Sequence, residues 1–468
     1  MENFDVVVIG AGPGGYPAAI RAAQLGASVA VVEKERLGGT CLNWGCIPSK
    51  ALIGAADAFA RIKHGAALGI QVKGASVDYA ALIGHKNKVV TQLQSGIKQL
   101  LAANGVKLFS GLGSFKDRNT IALDNGTELG ARRVIIATGS TSAMPGFLPR
   151  HPRVVESRGF LDLTALPTTL LVLGGGFIGC ELACMAERLG VKVTLVELLE
   201  DILLLLDPDV RREVRSSMEK ELGIRVLTGK ALQDIKASDD GVTGLCGEET
   251  LQADLLLSAV GRKPVTDGLH LENAGLKTNA GGFIEADEYC RTAAATIYAI
   301  GDVTGKIQLA HYATSQGIVA AENALGQKPG KHETLVPNVI FTAPEVGTVG
   351  LSEADAKKQN LAVLTGKFRF GGLGKALAAN EKGGFVKWIA DAATGQLLGA
   401  AVVGPHATEL IAEAAAAIRA ELTVEELGRT IHAHPTFSEA WMEAAHVAHG
   451  TAIHAPPKRK VQAATTPV

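Results

Sequence analysis

The sequence has neither an excess of charge of one sign nor a long apolar run. Lysine and arginine number 46 against 47 acidic residues, which gives a formal net charge of −1. Without a net electrostatic field, the chain is not predicted to bind nucleic acid or an anionic membrane. Apolar stretches such as LLVLGGGFIGC and ILLLL are shorter than the roughly 20 residues that span a bilayer. Small molecules and other proteins are the expected partners.

Cysteine and the aromatic residues are also scarce. Phenylalanine, tryptophan and tyrosine make up 4% of the chain, whereas glycine occurs 55 times, which suits an α/β fold with many tight turns. No clustered histidines accompany the six cysteines, and no metal site is predicted. A buried, inert thiol is predicted at four of them, Cys180, Cys184, Cys246 and Cys290.

The remaining two cysteines stand close together in the run GGTCLNWGCIPSK. Strand-like residues begin almost at the first position, so no signal peptide is recognised and a cytoplasmic, reducing location is expected. In that environment a persistent disulfide is more often catalytic than structural. A reversible disulfide between Cys41 and Cys46 could take two electrons from one partner and pass them to another. The pair therefore predicts a thiol–disulfide oxidoreductase.

A pattern of strand, glycine turn, helix and strand occurs twice. The first copy begins FDVVVIGAGPGG and the second LLVLGGGFIG, and in both an acidic residue lies 18 positions after the third glycine. One such turn is weak evidence, but two with the same spacing are typical of dinucleotide-binding sites. The residues concerned are Gly10, Gly12, Gly15 and Glu33 in the first copy, and Gly174, Gly176, Gly179 and Glu197 in the second.

Each residue type in this pattern has a physical role. The glycines permit a tight turn and close approach of a pyrophosphate, and the helix N-terminus offers free N–H groups to it. The acidic residue accepts hydrogen bonds from a ribose diol, and a carboxylate at Glu197 repels a 2′-phosphate, so NAD is predicted rather than NADP. Two sites in one chain imply FAD exchanging electrons with NAD. Asp302, after the apolar segment TIYAIG, is predicted to bind a cofactor hydroxyl, with a turn aspartate as the alternative.

The predicted fold class is α/β, with two Rossmann-like domains and a C-terminal α+β domain. RRVIIATGS and TIYAIGDV are predicted to be further strands that run into glycine turns. In the C-terminal part, the segments VGTVGL, GGFVKWIAD and LLGAAVVG are predicted strands, and they precede the alanine-rich helix ELIAEAAAAIRAEL.

Taken together, these motifs resemble the dihydrolipoamide dehydrogenases, which belong to the pyridine nucleotide-disulfide oxidoreductases. The most specific elements are GGTCLNWGCIPSK, GGGFIGCELA, IYAIGD and HAHPTFSE. The resemblance implies a homodimer that oxidises protein-bound dihydrolipoyl groups and reduces NAD through FAD. It also implies an FAD domain at 1–145 and 265–335, an NAD domain at 146–264 and a dimerisation domain at 336–454. The last stretch, residues 455–468, has no apolar periodicity and contains prolines, so a mobile tail is predicted there.

The resemblance also implies roles for single residues. Cys46 corresponds to the flavin-facing thiol, and His434 to a catalytic base that Glu439 orients and that acts on the other subunit's thiols. Lys50 and Glu181 correspond to an ion pair near the flavin, and Pro435 to a cis proline. His432, in contrast, is interpreted as an ordinary satisfied histidine. Further cofactor contacts are implied at Lys50, Thr138, Gly139, Asp302 and Ala310 for FAD, and at Gly261 for NAD.

The expected partners are lipoyl domains and the acyltransferase core of a 2-oxo acid dehydrogenase complex, or the carrier protein of glycine cleavage. A glutathione-reductase-like enzyme is the alternative, but no arginine follows Glu197 to favour NADP. The sequence departs from the family in one loop, where Leu204 and Leu205 replace a proline and a glycine. Different packing of that loop is expected.

Overall fold

The computed structural model describes residues 1–327 and 330–456. The described chain packs as two compact units. Unit 1 comprises Met1–Ala60, Ala75–Val196 and Ala231–Thr334, and unit 2 comprises Arg61–Gly74, Glu197–Lys230 and the described residues from Leu335 onward. The three-domain division expected from the sequence stays a prediction. Of the proposed tail, residues 457–468 lie outside the described part of the chain.

The strands of the described residues, in chain order, are β1 (Glu2–Ile9), β2 (Val29–Glu33), β3 (Lys107–Ser110), β4 (Gly113–Asp117), β5 (Thr120–Leu123), β6 (Glu128–Ile136), β7 (Ser140–Ser142), β8 (Val154–Glu156), β9 (Thr169–Leu173), β10 (Lys192–Val196), β11 (Arg225–Leu227), β12 (Leu232–Ser238), β13 (Gly241–Cys246), β14 (Glu249–Ala253), β15 (Leu255–Ser258), β16 (Arg262–Pro264), β17 (Ile297–Ala299), β18 (Asn338–Ile340), β19 (Val346–Gly350), β20 (Val363–Arg369), β21 (Phe385–Asp391) and β22 (Leu397–Val403).

The α-helices are α1 (Gly15–Gln24), α2 (Gly39–Trp44), α3 (Cys46–His64), α4 (Tyr79–Ala103), α5 (Ser157–Leu161), α6 (Phe177–Arg188), α7 (Pro208–Lys220), α8 (Ala310–Ala324), α9 (Glu353–Lys358), α10 (Gly374–Ala379), α11 (Ala407–Arg419), α12 (Val424–Arg429) and α13 (Glu439–His449). None of the helices in the described residues is both long and apolar enough to cross a membrane.

The first sheet of unit 1 has the strand order β3–β2–β1–β6–β5–β4, with β17 also paired to β6. Its central strands β2, β1 and β6 are parallel. Strand β1 is apolar on both faces: Val7 and Ile9 enter one core, and Val6 and Val8 enter the other together with Ala18 of α1. Burial on both faces explains the continuous apolar run VVVI, which is typical of a parallel sheet covered on both sides.

The second parallel sheet of unit 1 contains the strands β10–β9–β15–β8 in that order. Helix α6 connects β9 to β10, so the second glycine pattern has the same strand, turn, helix and strand arrangement as the first. Strands β12, β13 and β14 form a separate antiparallel meander. The predicted α/β class and the two Rossmann-like folds are confirmed.

Unit 2 contains an antiparallel sheet of order β18–β19–β22–β21–β20. Its core centres on Trp388 of β21 and Trp441 of α13, whose ring centroids lie 4.6 Å apart. The indole N–H of Trp388 donates to the carbonyl of Trp441 at 3.0 Å, so its polar atom is satisfied inside the core. The predicted strands correspond to β19, β21 and β22, and the predicted helix to α11, which confirms the α+β character.

The loop after Glu197 also belongs to unit 2. Leu203 is buried but has φ +51°, a left-handed conformation that is uncommon for leucine. Leu205 is 85% exposed, and Leu204 is exposed as well.

Candidate active site

The first glycine turn has the geometry of a phosphate-binding turn. Gly10 has φ +100°, and a Cβ atom there would lie 2.4 Å from the carbonyl oxygen of Ala137. A Cβ atom on Gly15 would lie 1.8 Å from the carbonyl oxygen of Gly10, so no side chain fits at either position. At Gly12 the nearest atom is the Cα of Gly39, 3.7 Å away, which leaves space above the turn. The turn therefore fits the pyrophosphate of FAD.

Glu33, at the end of β2, is positioned by the same turn. Its Oε2 accepts a hydrogen bond from the backbone N–H of Ala11, and its Oε1 accepts one from Glu35, both at 2.8 Å. Each carboxylate oxygen retains a second lone pair for a ribose hydroxyl.

The second turn repeats this geometry. Gly174 has φ +108°, with Ala259 O 2.5 Å from its hypothetical Cβ, and the hypothetical Cβ of Gly179 lies 2.0 Å from Gly174 O. No atom lies within 4 Å of the corresponding position on Gly176. The equivalence of the two turns supports a second dinucleotide site, for NAD. In unit 2, Glu197 Oε1 accepts a hydrogen bond from Leu199 N at 2.8 Å, which orients its carboxylate.

Two of the other predicted FAD contacts also have partners within the protein. Thr138 Oγ1 donates to the carbonyl of Val265 at 2.7 Å. Asp302 Oδ2 accepts a hydrogen bond from Ser140 Oγ and lies 3.8 Å from Arg262 Nε. The Asp302 carboxylate is thus held in one orientation beside a cation. A role toward a cofactor hydroxyl stays a prediction.

The remaining predicted contacts lie at turns and at a helix start. Gly139 and Gly261 have φ +72° and +130°, values that only glycine adopts without strain. Ala310 is the first residue of α8, where backbone N–H groups have no partner within the helix. Their contacts with FAD and NAD stay predictions.

The two cysteines lie on successive helices of unit 1. Cys41 is in the short helix α2, and Cys46 is the first residue of α3, where the helix dipole favours a thiolate. Both are free thiols, Cys41 half-buried and Cys46 exposed. A hydrogen bond from the Cys41 thiol and the positive charge of Lys50, opposed by partial burial, lower the pKa of Cys46 to about 7. The same hydrogen bond, together with burial, raises the pKa of Cys41.

This asymmetry differentiates the two sulfurs. An ordinary thiol is only a few per cent ionised at neutral pH, whereas a thiol with a pKa of about 7 is about half ionised. Cys46 is therefore the thiolate of the reduced pair, and Cys41 is its hydrogen-bond donor. That Cys46 is the sulfur that faces a redox cofactor stays a prediction.

Lys50 and Glu181 form the predicted ion pair. Lys50 lies one turn after Cys46 on α3, and its Nζ is 2.8 Å from Glu181 Oε2 on α6. Only 10% of the Glu181 side chain is exposed, so its charge requires a partner inside the protein. The pair places a cation beside the Cys46 sulfur.

Sequence reasoning missed how the residues between the two cysteines are anchored. Trp44 is 9% exposed, and the guanidinium carbon of Arg158 on α5 lies 3.9 Å from its ring centroid. The buried Asn43 donates hydrogen bonds to the carbonyls of Leu37 and Gly39 at 3.0 and 2.9 Å. The tryptophan and the asparagine between the cysteines could have indicated that this segment is buried. Their contact residues, however, could not be identified from the neighbouring sequence.

The predicted base and its carboxylate are in contact in unit 2. His434 Nδ1 lies 2.8 Å from Glu439 Oε2, and Thr436 N donates to Glu439 Oε1 at 2.7 Å. Burial alone would raise the pKa of Glu439, but the Thr436 N–H, the His434 ring and the charge of His432 hold it below its usual value. Because an ionised carboxylate only accepts hydrogen bonds, Nδ1 of the neutral ring carries the proton and Nε2 is the basic nitrogen.

The His434 side chain is 75% exposed, so its Nε2 is accessible to a substrate. The peptide bond between His434 and Pro435 is cis, as the resemblance implies. His432 is also satisfied by hydrogen bonds, which agrees with its interpretation from the sequence. The other four cysteines, Cys180, Cys184, Cys246 and Cys290, are buried as predicted.

Comparison with known proteins identifies the family. The family model described as pyridine nucleotide-disulphide oxidoreductase matches residues 4–317, and its dimerisation-domain model matches residues 336–445. A dihydrolipoyl dehydrogenase of Chlamydia muridarum is 43% identical, with 98% of this chain and 100% of the relative covered. One from Haloferax volcanii is 45% identical, with 96% and 97% covered.

Solved structures agree with this result. LpdA from Mycobacterium tuberculosis has a TM-score of 0.88 and 28% identity, and covers 95% of this chain and 99% of its own. The HOCl-induced flavoprotein disulfide reductase RclA from Escherichia coli has a TM-score of 0.86 at the same identity and coverage. The duplicated glycine turns, the thiol pair and these matches show that the chain belongs to the pyridine nucleotide-disulphide oxidoreductase family.

Proposed function

We propose that this protein is a dihydrolipoyl dehydrogenase, which oxidises dihydrolipoyl groups to the lipoyl disulfide and reduces NAD to NADH, with FAD as its flavin. The observation that carries this proposal is the asymmetric thiol pair, in which Cys46 has a pKa of about 7 and lies beside the Lys50 cation. Such a pair is suited to accept two electrons from a dithiol and to release them again.

The thiol chemistry begins with the pair in its disulfide form. Nε2 of His434 takes the proton of one substrate thiol, and the resulting thiolate attacks Sγ of Cys41. The Cys41–Cys46 bond breaks, and Cys46 leaves as a thiolate, which its lowered pKa favours. The second substrate thiol then attacks the substrate sulfur bonded to Cys41, which closes the lipoyl disulfide and breaks the bond to Cys41. Its proton passes to the departing Cys41 sulfur, so Cys41 ends as a thiol and Cys46 as a thiolate. The substrate loses two electrons, and the two cysteines gain them.

The residues around the glycine turns hold the cofactors. When bound, FAD supplies a two-electron acceptor that connects the cysteine pair to NAD. The backbone around Gly10, Gly12 and Gly15 seats its pyrophosphate, and Glu33 its ribose; Gly174, Gly176, Gly179 and Glu197 serve NAD in the same way. Lys50 favours negative charge beside Cys46, and Glu181 holds Lys50 in place.

The protein is a homodimer, as its dimerisation domain supports, and the relatives' shared name supports a role in 2-oxo acid dehydrogenase complexes. In the proposal, His434 of one copy acts on the thiols of the other. The lipoyl domains and the acyltransferase core of such a complex, or the carrier protein of glycine cleavage, are the proposed partners.

An absorbance experiment tests the function. The purified protein is expected to show flavin absorbance, and anaerobic dihydrolipoamide is expected to produce a long-wavelength thiolate-to-flavin band. Turnover is expected to be faster with NAD than with NADP. A protein without flavin, or one that reduces glutathione with NADPH and ignores dihydrolipoamide, contradicts the proposal. The related proteins do not favour that glutathione-reductase-like alternative.

A further inference from the structure

The connection between the two cysteines is buried for most of its length. Its residues Leu42, Asn43 and Trp44 are all buried, and Leu42 packs into the core around α1. The side-chain nitrogen of Asn43 donates to two backbone carbonyls, and its oxygen accepts a hydrogen bond from Gln94 Nε2 on α4. Core packing and hydrogen bonds therefore anchor the first two of these residues, whereas the indole ring of Trp44 is anchored by a different contact.

Arg158 of α5 covers the indole ring of Trp44. Its guanidinium carbon lies 3.9 Å from the ring centroid, well inside the range of about 6 Å for a cation–π contact. Its Nη1 and Nη2 atoms lie 3.4 and 3.5 Å from Glu35 Oε1, and the backbone N–H of Glu35 donates to Glu33 Oε1 at 2.8 Å. The guanidinium is therefore held between the indole ring and a carboxylate of the segment that follows β2.

Both ends of α5 are fixed, so Arg158 extends from a rigid support. At the N-terminus, the carboxylate of Glu156 accepts hydrogen bonds from the backbone N–H groups of Arg158 and Gly159 at 2.7 and 3.0 Å. At the C-terminus, the carbonyl of Leu161 accepts a hydrogen bond from Lys86 Nζ at 2.7 Å, and only 4% of the Lys86 side chain is exposed. A buried ammonium group there satisfies a free carbonyl and complements the helix dipole.

The position of Trp44 determines how α2 is placed relative to α3. Trp44 is the last residue of α2, and Gly45, with φ −138° and ψ −111°, is the only residue between the two helices. Because glycine adopts many backbone conformations, one such residue leaves the angle between the helices free to change unless a neighbour fixes it. Cys41 lies on α2 and Cys46 opens α3, so this angle determines whether the Cys41 thiol reaches Cys46. A hydrogen bond weakens steeply when its donor and acceptor move out of line.

We propose that Arg158 is a positioning residue for the thiol pair, which by stacking on Trp44 holds α2 in place and keeps the Cys41 thiol in hydrogen-bond contact with Cys46. The inference rests on the proposed function, in which this pair is the redox centre. It also gives the buried Lys86 a purpose, since Lys86 supports the helix that carries Arg158.

The test measures Cys46 in the complete, flavin-loaded protein after anaerobic reduction with a phosphine. The rate of alkylation of Cys46 against pH, followed by mass spectrometry of its peptide, is expected to have its midpoint at about 7 in the wild type. Arg158→Ala is expected to raise the midpoint by about 0.3–1 unit, the size expected for weakening one hydrogen bond. Trp44→Ala changes no charge and is expected to raise it at least as much.

A second background separates the effect of position from that of charge. Cys41→Ala removes the hydrogen-bond donor, so adding Arg158→Ala to it is expected to shift the midpoint of Cys46 no further. Lys50 and Glu181, the charged groups that act on Cys46, are unchanged in all of these variants. A further shift in the Cys41→Ala background means that Arg158 acts on Cys46 directly through its charge, which overturns the inference.

Arg132→Ala is the matched control. Arg132 is an exposed arginine of β6 in an ion pair with Asp5, and its replacement is expected to shift nothing. A midpoint in Arg158→Ala that equals the wild-type value overturns the inference, because Arg158 is 47% exposed and its replacement leaves the fold intact.

The proposed function can fail separately. If dihydrolipoamide neither reduces the flavin nor supports formation of NADH, the proposed function fails. The alkylation midpoints need no turnover, so they decide the inference about Arg158 in either case.

Discussion

At the scale of single residues, the two cysteines are differentiated by their surroundings rather than by their own chemistry. Cys46 opens a helix and lies one turn from Lys50, whereas Cys41 is half-buried and donates its hydrogen bond to Cys46. These contacts assign the thiolate to Cys46. If the two thiols had the same pKa, neither sulfur would be favoured as the thiolate that passes the electrons on.

Replacing Lys50 tests this assignment. Lys50→Met removes the positive charge that lowers the pKa of Cys46 and leaves the negative charge of Glu181, which raises it. The Cys46 thiolate is therefore expected to form at higher pH. The measurement is the rate of alkylation of the anaerobically reduced protein against pH. Its midpoint is expected at about 7 in the wild type and higher in the variant. The control is Lys236→Met, at an exposed position on β12; an unchanged midpoint in Lys50→Met contradicts the assignment.

At the scale of elements, two ion pairs connect the cysteine-bearing helix α3 to helix α6 of the second glycine turn. Lys50 pairs with Glu181, and Asp57 pairs with Arg188. The partners are 131 positions apart in both pairs, so the two contacts lie seven positions apart on each helix. Seven residues are about two helical turns, which places both contacts on one face of each helix. The charge order is reversed between the two contacts, so a shifted register would bring like charges together.

A charge swap tests the second contact. Asp57→Asn and Arg188→Gln are each expected to lower the free energy of unfolding by about 1 kcal/mol, because both side chains are partly exposed. Asp57→Arg combined with Arg188→Asp is expected to recover most of that loss. Denaturant unfolding of these three variants, and of Asp57→Arg and Arg188→Asp alone, gives the values. Lys116→Gln, in an exposed pair with Glu128, is the control; a swap no more stable than the sum of its single changes contradicts a direct contact.

At the scale of the whole molecule, what could be predicted from the sequence was local. The glycine turns and the alternation of apolar runs with turns predicted both Rossmann-like folds, because each depends on residues within a short stretch. The partner of Lys387 could not be predicted in this way. Its Nζ contacts Asp207, 180 positions earlier in the chain, as well as Asp209 and Glu353, and only 2% of its side chain is exposed. In the sequence GGFVKWIAD, Lys387 resembles an ordinary polar residue of a predicted strand.

Removing Lys387 is expected to destabilise unit 2 strongly. Lys387→Met leaves the buried Asp207 carboxylate unpaired, at a cost of about 3–5 kcal/mol of unfolding free energy at neutral pH. Lys367→Met is the control: Lys367 also contacts Asp209 but is 35% exposed, so a smaller loss is expected. Denaturant unfolding at pH 7 gives both values, and equal losses contradict the importance of burial.

The same cluster predicts how stability depends on pH. Burial alone would raise the pKa of Asp209, but hydrogen bonds from Lys367 and Lys387 hold it below its ordinary value of 3.8. Its contribution to stability is therefore present above pH 3.8 and is lost as the pH falls through the lower folded value. Without Lys387 this contribution weakens, so the difference in stability between wild type and Lys387→Met is expected to shrink from pH 7 to pH 3. A constant difference between these pH values contradicts the linkage.

The dimer leads to a prediction that involves the whole assembly. If His434 of one copy serves the thiols of the other, Cys41→Ser and His434→Gln dimers are each inactive, but a mixed dimer contains one complete site. That site combines the intact cysteines of the His434→Gln copy with the intact histidine of the Cys41→Ser copy. Random reassociation yields mixed dimers in about half of the population, each with one of two sites intact, so about a quarter of the wild-type turnover is expected.

The measurement is dihydrolipoamide oxidation after the two variants are dissociated and reassociated together. Each variant treated alone is the control. If both thiols and base came from the same copy, no mixed dimer would contain a complete site and no activity would return, so recovery after mixing distinguishes a shared active site from two independent ones.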